Sequence, residues 1–225
     1  MGKNKLQRYS ENKTLENVLE HTDFKNQEPP AGTWSETVFG NQFPITLELA
    51  CGKGEYTINL AKRFKNRNFV GVDIKGDRIW KGAKRAFREH LTNVRFLRCY
   101  IDHLDQFFGK SEIHEIWITF PDPFLKKSDA KKRLTSPKFL DIYRRVARPD
   151  ALVHLKTDSE PLFRYTQSVI REQRLTVDEK IEDVYTDGFR DGGPLAIQTY
   201  YEKKHLEDQR TIRYIRFLLN SVESL

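Results

Sequence analysis

From Ile45 to Leu219 short apolar runs alternate with amphipathic stretches across brief turns, and that alternation leaves few folds open. The runs at 45–50, 69–74, 94–101, 115–120, 151–157, 176–181 and 213–219 read as strands. Residues 55–64, 77–90, 137–147, 159–172 and 198–208 carry helical spacing, with Pro137 and Pro161 marking two first turns. Strands that alternate with helices imply parallel pairing, because the crossover helix returns the chain to the same end of the sheet. The expected fold is therefore α/β: a doubly wound, mostly parallel, seven-stranded sheet with helices on both faces. The last two strands break the rhythm, so one is expected to add antiparallel at the edge. Residues 1–42 are polar, with Pro29-Pro30 and Gly32, and read as an N-terminal arm with a short helix near 14–20. Residues 43–225 then form one domain.

Composition limits the class of protein. Charged residues make up 32% of the 225 residues and mean hydropathy is −0.69, yet aromatic residues reach 12%, which describes a folded, highly charged chain. No apolar run approaches the roughly 20 residues that span a bilayer, and no apolar segment follows the first lysines. Cys51 and Cys99 lie far apart, and the six histidines form no ligand cluster. A cytoplasmic protein with no metal, no disulfide framework and no membrane partner is expected.

The net charge of +7 is concentrated. Residues 121–148 hold nine basic and three acidic residues, and Arg78, Lys81, Arg85 and Arg88 recur at helical spacing on one face. Charge so placed points to a polyanion, with nucleic acid ahead of anionic lipid. Inside the first cluster the run Ile116–Phe120 ends in Pro121-Asp122-Pro123. Prolines cannot continue a strand ladder, so one carboxylate, Asp122, is held at a strand end beside Lys126, Lys127, Lys131, Lys132 and Arg133. The competing reading is a proline-rich turn followed by a solvated charge run.

Ligands of open α/β sheets bind outside the carboxyl ends of the strands. The first of these strands runs into Ala50-Cys51-Gly52-Lys53-Gly54, where Gly52 and Gly54 let the backbone turn sharply and approach a ligand. Thr57 stands where the dinucleotide fingerprint wants a third small residue. The second strand ends at Asp73, about 20 residues on, the position that takes a ribose diol. The third delivers Asp102, placed to accept from an adenine amino group. Each acid alone also reads as a cap or a solvated loop residue. Three in order at successive strand ends describe a pocket for adenosine with a free diol. No phosphate-binding P-loop occurs, so S-adenosylmethionine fits better than ATP. Glu48 is placed to receive the cofactor's ammonium group or to brace the glycine turn.

Glu48 with the glycine turn, Asp73, Asp102, Phe-Pro-Asp-Pro-Phe-Leu-Lys-Lys at 120–127, Lys-Lys-Arg-Leu at 131–134, Leu-Lys-Thr-Asp at 155–158 and Thr-Tyr-Tyr-Glu at 199–202 together resemble the bacterial tRNA (guanine-N7-)-methyltransferase family. The resemblance covers residues 45–219 with the motifs in the family's order. It implies a Rossmann-like methyltransferase fold and methyl transfer from S-adenosylmethionine to N7 of a guanosine in the tRNA variable loop. It assigns Glu48, Gly52, Gly54, Asp73, Asp102 and Asp122 to the cofactor, with Asp122 also the catalytic residue. Lys126, Asp158, Thr199, Tyr200, Tyr201 and Glu202 would hold substrate, and Ser128, Asp129, Ala130, Lys131, Lys132 and Arg133 would touch RNA. No metal is implied, and monomer and homodimer are both open. Two positions depart from the family pattern: Ala50 stands where glycine is usual, and Phe124 where tryptophan is common.

Guanine N7 carries a lone pair and no proton, so attack on a sulfonium methyl needs no general base, and catalysis rests on orientation and electrostatics. Asp122 and Asp158 suit the donor edge of guanine, and the lysine strip suits phosphates. Three other readings stay in view. A nicotinamide-dependent oxidoreductase conflicts with Thr57 and leaves the basic strip unexplained. A non-catalytic RNA-binding module leaves the three acids unexplained. A methyltransferase acting on an exocyclic base amine often has Asp/Asn-Pro-Pro-aromatic here, whereas this chain has Asp-Pro-Phe. Trp34, Trp80 and Trp117 read as packing residues, and Tyr200 or Tyr201 reads equally as a base platform or as helix packing.

Overall fold

Buried on both faces, the central strands need apolar side chains at nearly every position rather than at alternate ones. Ile45–Leu49 and Asn68–Asp73 are buried throughout. A computed structural model describes residues 4–25, 28–187 and 193–220. Its strands are β1 (Val18–Glu20), β2 (Ile45–Leu49), β3 (Asn68–Asp73), β4 (Val94–Arg98), β5 (Ile113–Thr119), β6 (Ala147–Thr157), β7 (Val177–Ile181) and β8 (Arg213–Leu218). The helices are α1 (Lys5–Asn12), α2 (Glu55–Arg63), α3 (Gly76–Arg88), α4 (Pro137–Val146), α5 (Glu160–Glu172) and α6 (Tyr200–Glu207). The sheet order is β1-β4-β3-β2-β5-β6-β8-β7. Pairing is parallel from β1 to β6, and β8 runs antiparallel to both β6 and β7. The seven strands expected from residue 45 onward are present, and an eighth comes from the N-terminal segment.

Strand order reverses between β2 and β5, whose registers place Leu49 beside Ile118. A crevice opens there, outside the carboxyl ends of the strands. One layer of the core holds Leu47, Leu49, Ile118, Phe139 and Phe163, and the other holds Tyr56, Phe69, Ile79, Phe96 and Ile197.

The N-terminal segment differs from the expectation. The helix is at Lys5–Asn12 rather than near 14–20, where strand β1 forms and pairs with β4. Beside the buried Val18 its anchors are polar: the Asn12 amide donates to the Gly76 carbonyl at 2.9 Å, and Trp80 Nε1 donates to Glu11 at 2.8 Å. Arg98 meets the buried Glu20 at 3.1 Å and lies 4.6 Å from the Tyr9 ring centroid. This segment therefore braces the start of α3, directly after Asp73.

Candidate active site

The crevice is a cleft of about 280 Å³ lined by residues from four strand ends, including Ala50, Asp73, Asp102, Asp122, Phe124 and Lys132. A smaller recess of about 80 Å³ lies against the glycine turn, between Glu48, Gly52, Thr119 and Tyr201. Ala50, Arg78 and Phe120 line both, so the two spaces meet at these residues.

The glycine turn has separate reasons for its two glycines. Gly52 has φ 57°, and a Cβ there would meet nothing within 4 Å, so bare backbone faces open space. Gly54 has φ 65°, and a Cβ there would lie 2.4 Å from the Phe96 ring. Gly54 thus packs the turn onto the sheet from behind and does not line the cleft, contrary to the cofactor contact expected of it. Ala50 adopts φ 55°, a left-handed conformation that glycine takes up without the steric cost alanine bears.

Asp73 is buried and accepts from Gly52 N at 2.9 Å and Lys75 N at 2.8 Å, one bond on each oxygen. Each oxygen keeps a free lone pair. Asp102 is half exposed and ion-paired with Lys138 of α4. Glu48 is buried beneath the turn. It accepts from Thr57 N at 2.8 Å, from the Thr57 hydroxyl, and from Thr119 Oγ1 at 2.8 Å. Burial pushes its carboxyl up from 4.5 to about 7, against the lowering effect of these three bonds. Of its two expected roles, bracing the glycine turn is the one these bonds display.

Asp122 is exposed and has no ion pair or hydrogen bond to any described residue. Its loop is bracketed by two left-handed residues, Phe120 at φ 48° and Phe124 at φ 43°. Such strain persists only where the surroundings enforce it. Arg133 does so: it is 8% exposed, lies 4.3 Å from the Tyr165 ring centroid, and donates to the carbonyls of Pro123, Phe124 and Leu125. Arg133 was expected to touch RNA, but its guanidinium is committed to holding this loop. The rest of the strip behaves differently. Lys126, Lys127, Ser128, Lys131 and Lys132 are exposed, Asp129 and Ala130 half-buried, and Lys132 pairs with Asp129 at 2.9 Å while lining the cleft.

Asp158 lines neither the cleft nor the recess; it is held by Arg210 at 2.9 Å, with His205 at 3.6 Å. The 199–202 segment divides. Tyr200 and Tyr201 are about half exposed, whereas Thr199 and Glu202 are buried and close a capping box at the start of α6. Glu202 was expected to hold substrate. It accepts instead from Lys156 at 2.6 Å and from the Tyr185 hydroxyl at 2.8 Å, and lines neither cavity. Thr119 lines the recess and carried no sequence motif of its own, and Arg78, which the sequence marked only as one of four cations on a helix face, lines both spaces. Arg78 sits five residues beyond Asp73, in the first turn of α3. Among the described residues no group of acids, histidines and cysteines is arranged to hold a metal, and no helix is long and apolar enough to cross a membrane.

Solved structures similar to this fold include the 16S rRNA methyltransferase KamB, with a TM-score of 0.62 over 86% of this chain and 95% of that one at 14% identity. A SAM-dependent methyltransferase from Aquifex aeolicus aligns over 97% of this chain and 100% of its own with a TM-score of 0.55 at 14% identity. A family model described as "Putative methyltransferase" matches residues 42–214. The tRNA (guanine-N(7)-)-methyltransferase of Christiangramia forsetii is 44% identical over 96% of this chain and 98% of its own. That of Bacteroides thetaiotaomicron is 43% identical over 97% and 87%. Likeness of this extent reaches well beyond the cleft into both core layers, and with it the chain belongs to the tRNA (guanine-N(7)-)-methyltransferase family, enzymes that draw their methyl group from S-adenosylmethionine.

Proposed function

We propose that this chain methylates N7 of a guanosine in the variable loop of tRNA, with Asp122 as the catalytic carboxylate. The observation that carries the reading is the unpartnered Asp122, held on a strained loop in the same cleft as Asp73 and Asp102. The residues present fit S-adenosylmethionine. Bare backbone at Gly52 allows close approach, and Asp73 keeps one lone pair on each oxygen for a ribose diol. Asp102 stands next along the cleft for the adenine amino group, and Arg78 supplies positive charge where cleft and recess meet. When bound, the cofactor supplies the electrophilic methyl group.

The chain's own residues do the positioning. Asp122 accepts from the donor edge of guanine and offsets the positive charge that develops on the purine. Asp158 offers the oxygen that Arg210 leaves free. Tyr200 and Tyr201 form an aromatic wall for a splayed base. Lys126, Lys127, Lys131 and Lys132 contact phosphates without reading sequence. No side chain needs to remove a proton from N7. Residues 43–225 act as the catalytic domain and the preceding segment as its brace. The chain acts as a monomer or a homodimer, in the cytoplasm where tRNA is found.

The test is to incubate the protein with methyl-labelled cofactor and unmodified tRNA, digest the RNA and identify the labelled nucleoside. N7-methylguanosine from the variable loop is expected. Label on an exocyclic amine, or none in RNA, would overturn the reading.

A further inference from the structure

The exposed lysines at 126–132 follow the loop that leads into α4, on the sheet face whose core holds Leu134 and Phe139. A second group of cations lies on the other face, and the reaction described above leaves it without a role. A groove of about 500 Å³ is walled by α2, α3 and α6, with Arg63, Arg85 and Lys203 around it. Lys53 and Lys204 extend the group: their Nζ atoms lie 4.8 and 5.6 Å from the ring centroid of Tyr200, which also lines the groove.

Local acids offset only part of this charge: Glu55, which accepts from the Tyr200 N–H at 2.7 Å, and Glu89, shared between Arg85 at 3.1 Å and Lys62 at 2.8 Å, are two carboxylates against Lys53, Lys62, Arg63, Arg85, Lys203 and Lys204. Arg63 gives one nitrogen to the Gly193 carbonyl and is otherwise exposed. Lys203 and Lys204 are exposed, with no ion pair to a described residue.

Position relates the groove to the active site. Tyr201 lines the recess beside the glycine turn, and Tyr200, its neighbour in the chain, lines the groove. Both rings are about half exposed and meet edge to face at 5.6 Å. Exposed aromatic rings ringed by ammonium groups suit single-stranded RNA, in which a base stacks while the adjoining phosphate meets the cation. An RNA whose target base enters the cleft continues in both the 5′ and 3′ directions. The lysines at 126–132 serve one direction only.

We infer that Lys53, Arg63, Arg85, Lys203 and Lys204 form a second phosphate-binding surface, which holds the tRNA backbone as it leaves the cleft across α2 and α6. The substrate thereby straddles the carboxyl edge of the sheet, with one basic surface on each face. This rests on the reading that the substrate is tRNA, and, Lys53 of the glycine turn apart, it adds residues outside the motifs that carried the resemblance.

The test uses the full chain carrying Arg63→Gln, Lys203→Gln and Lys204→Gln together. Binding of unmodified tRNA is measured over a range of salt, and binding of S-adenosylmethionine by calorimetry. Affinity for tRNA should fall at least ~10-fold at low salt, and the slope of log affinity against log salt should fall by about two, on the scale of roughly 0.7 per single-stranded phosphate contact. Cofactor affinity should stay within about twofold. A control bearing Lys110→Gln, Arg171→Gln and Lys180→Gln removes the same charge from exposed positions elsewhere. An unchanged slope in the groove variant, or an equal fall in the control, would overturn the surface. Wild-type protein that makes N7-methylguanosine in either case shows that the surface has failed and the reaction has not. Absence of that product from the wild type would remove the reading and the surface together.

Discussion

Arg133 grips the carbonyl of Phe124 twice, through Nε at 3.1 Å and Nη2 at 2.9 Å, and Phe124 is one of the two left-handed residues that bracket Asp122. A guanidinium has five donors in a rigid fork, so one side chain can pin three successive carbonyls. The loop that carries the proposed catalytic acid is therefore held from inside the protein, and its cation does not face solvent. Arg133→Ala should cost roughly 2–3 kcal/mol, the scale for hydrogen bonds to a charged group. It should also lower turnover while leaving the salt dependence of tRNA binding in place. Lys131→Ala should do the reverse. Urea unfolding and salt-dependent binding of the two variants check the division, and equal salt effects would return Arg133 to the RNA surface.

Ala50 carries strain that glycine would not. A left-handed alanine costs about 1–2 kcal/mol, partly offset by the greater unfolded-state freedom of glycine. Ala50→Gly should stabilise the protein by about 0.5–1 kcal/mol, a rise in Tm of a few degrees at this chain length. Calorimetry reads this directly. A fall in Tm would mean that the alanine methyl makes packing contacts worth more than its strain.

The reach of the sequence depended on which force held each element. Runs such as Val70 and Val72 or Ile116 and Ile118 are buried by the sheet, and hydrophobic burial leaves a pattern that can be read directly. The segment from Lys5 to Glu20 buries only Val18 of its apolar side chains in the core and is otherwise held largely through Asn12, Glu11 and Arg98 by polar bonds, which leave no period. Burial likewise separates residues that look alike in a charge run. Lys131 and Arg133 are two positions apart, yet one is exposed and the other is enclosed. Thr199 and Glu202 did carry a signal, since Thr-x-x-Glu ahead of a helix is a capping box, and the motif resemblance drew attention away from it.

Lys156 and Glu202 form an ion pair with neither side chain exposed. Lys156 Nζ also donates to the carbonyls of Leu195 at 2.9 Å and Ile197 at 3.1 Å, so one ammonium ties α6 and its approach to β6. Burial lowers the lysine pKa and the Glu202 carboxylate opposes that shift. Removing one partner strands the other charge, so Lys156→Met should cost about 3–5 kcal/mol. The double variant Lys156→Met with Glu202→Leu should cost less than the sum of the two single changes. Additive losses in a double-mutant cycle would show that the pair does not act as a unit.

Glu48 should make stability depend on pH in an unusual direction. Between pH 4.5 and about 7 its carboxyl retains in the folded chain a proton that the unfolded chain has released. Stability from this group is thus fully present below pH 4.5, declines as pH rises towards 7 and is level above it, a change of about 3 kcal/mol. Glu115 acts oppositely: held near 2 by His154 and Arg67 despite its burial, it loses its contribution as pH falls below 4.5. Glu48→Gln should abolish the decline between pH 4.5 and 7 and leave the acid limb unchanged. Urea unfolding across this range reads both, and an unaltered slope in the variant would assign the decline to another group.

Asp122 gives the most direct test of the mechanism. It is exposed and has no partner among the described residues, so changing it should leave folding and cofactor affinity nearly intact. Its proposed work is electrostatic, and losing one preorganised contact of that kind usually costs at least ~100-fold in turnover. Asp122→Ala should show that loss. Asp122→Asn keeps the shape but exchanges an acceptor oxygen for a donor amide facing the donor edge of guanine, so it should be impaired nearly as much. Since N7 has no proton to remove, the wild-type rate should show no limb from a general base between about pH 6 and 8. Single-turnover rates of the three proteins across that range decide the matter, because near wild-type turnover in the Asn variant would show that the charge at this position is not used.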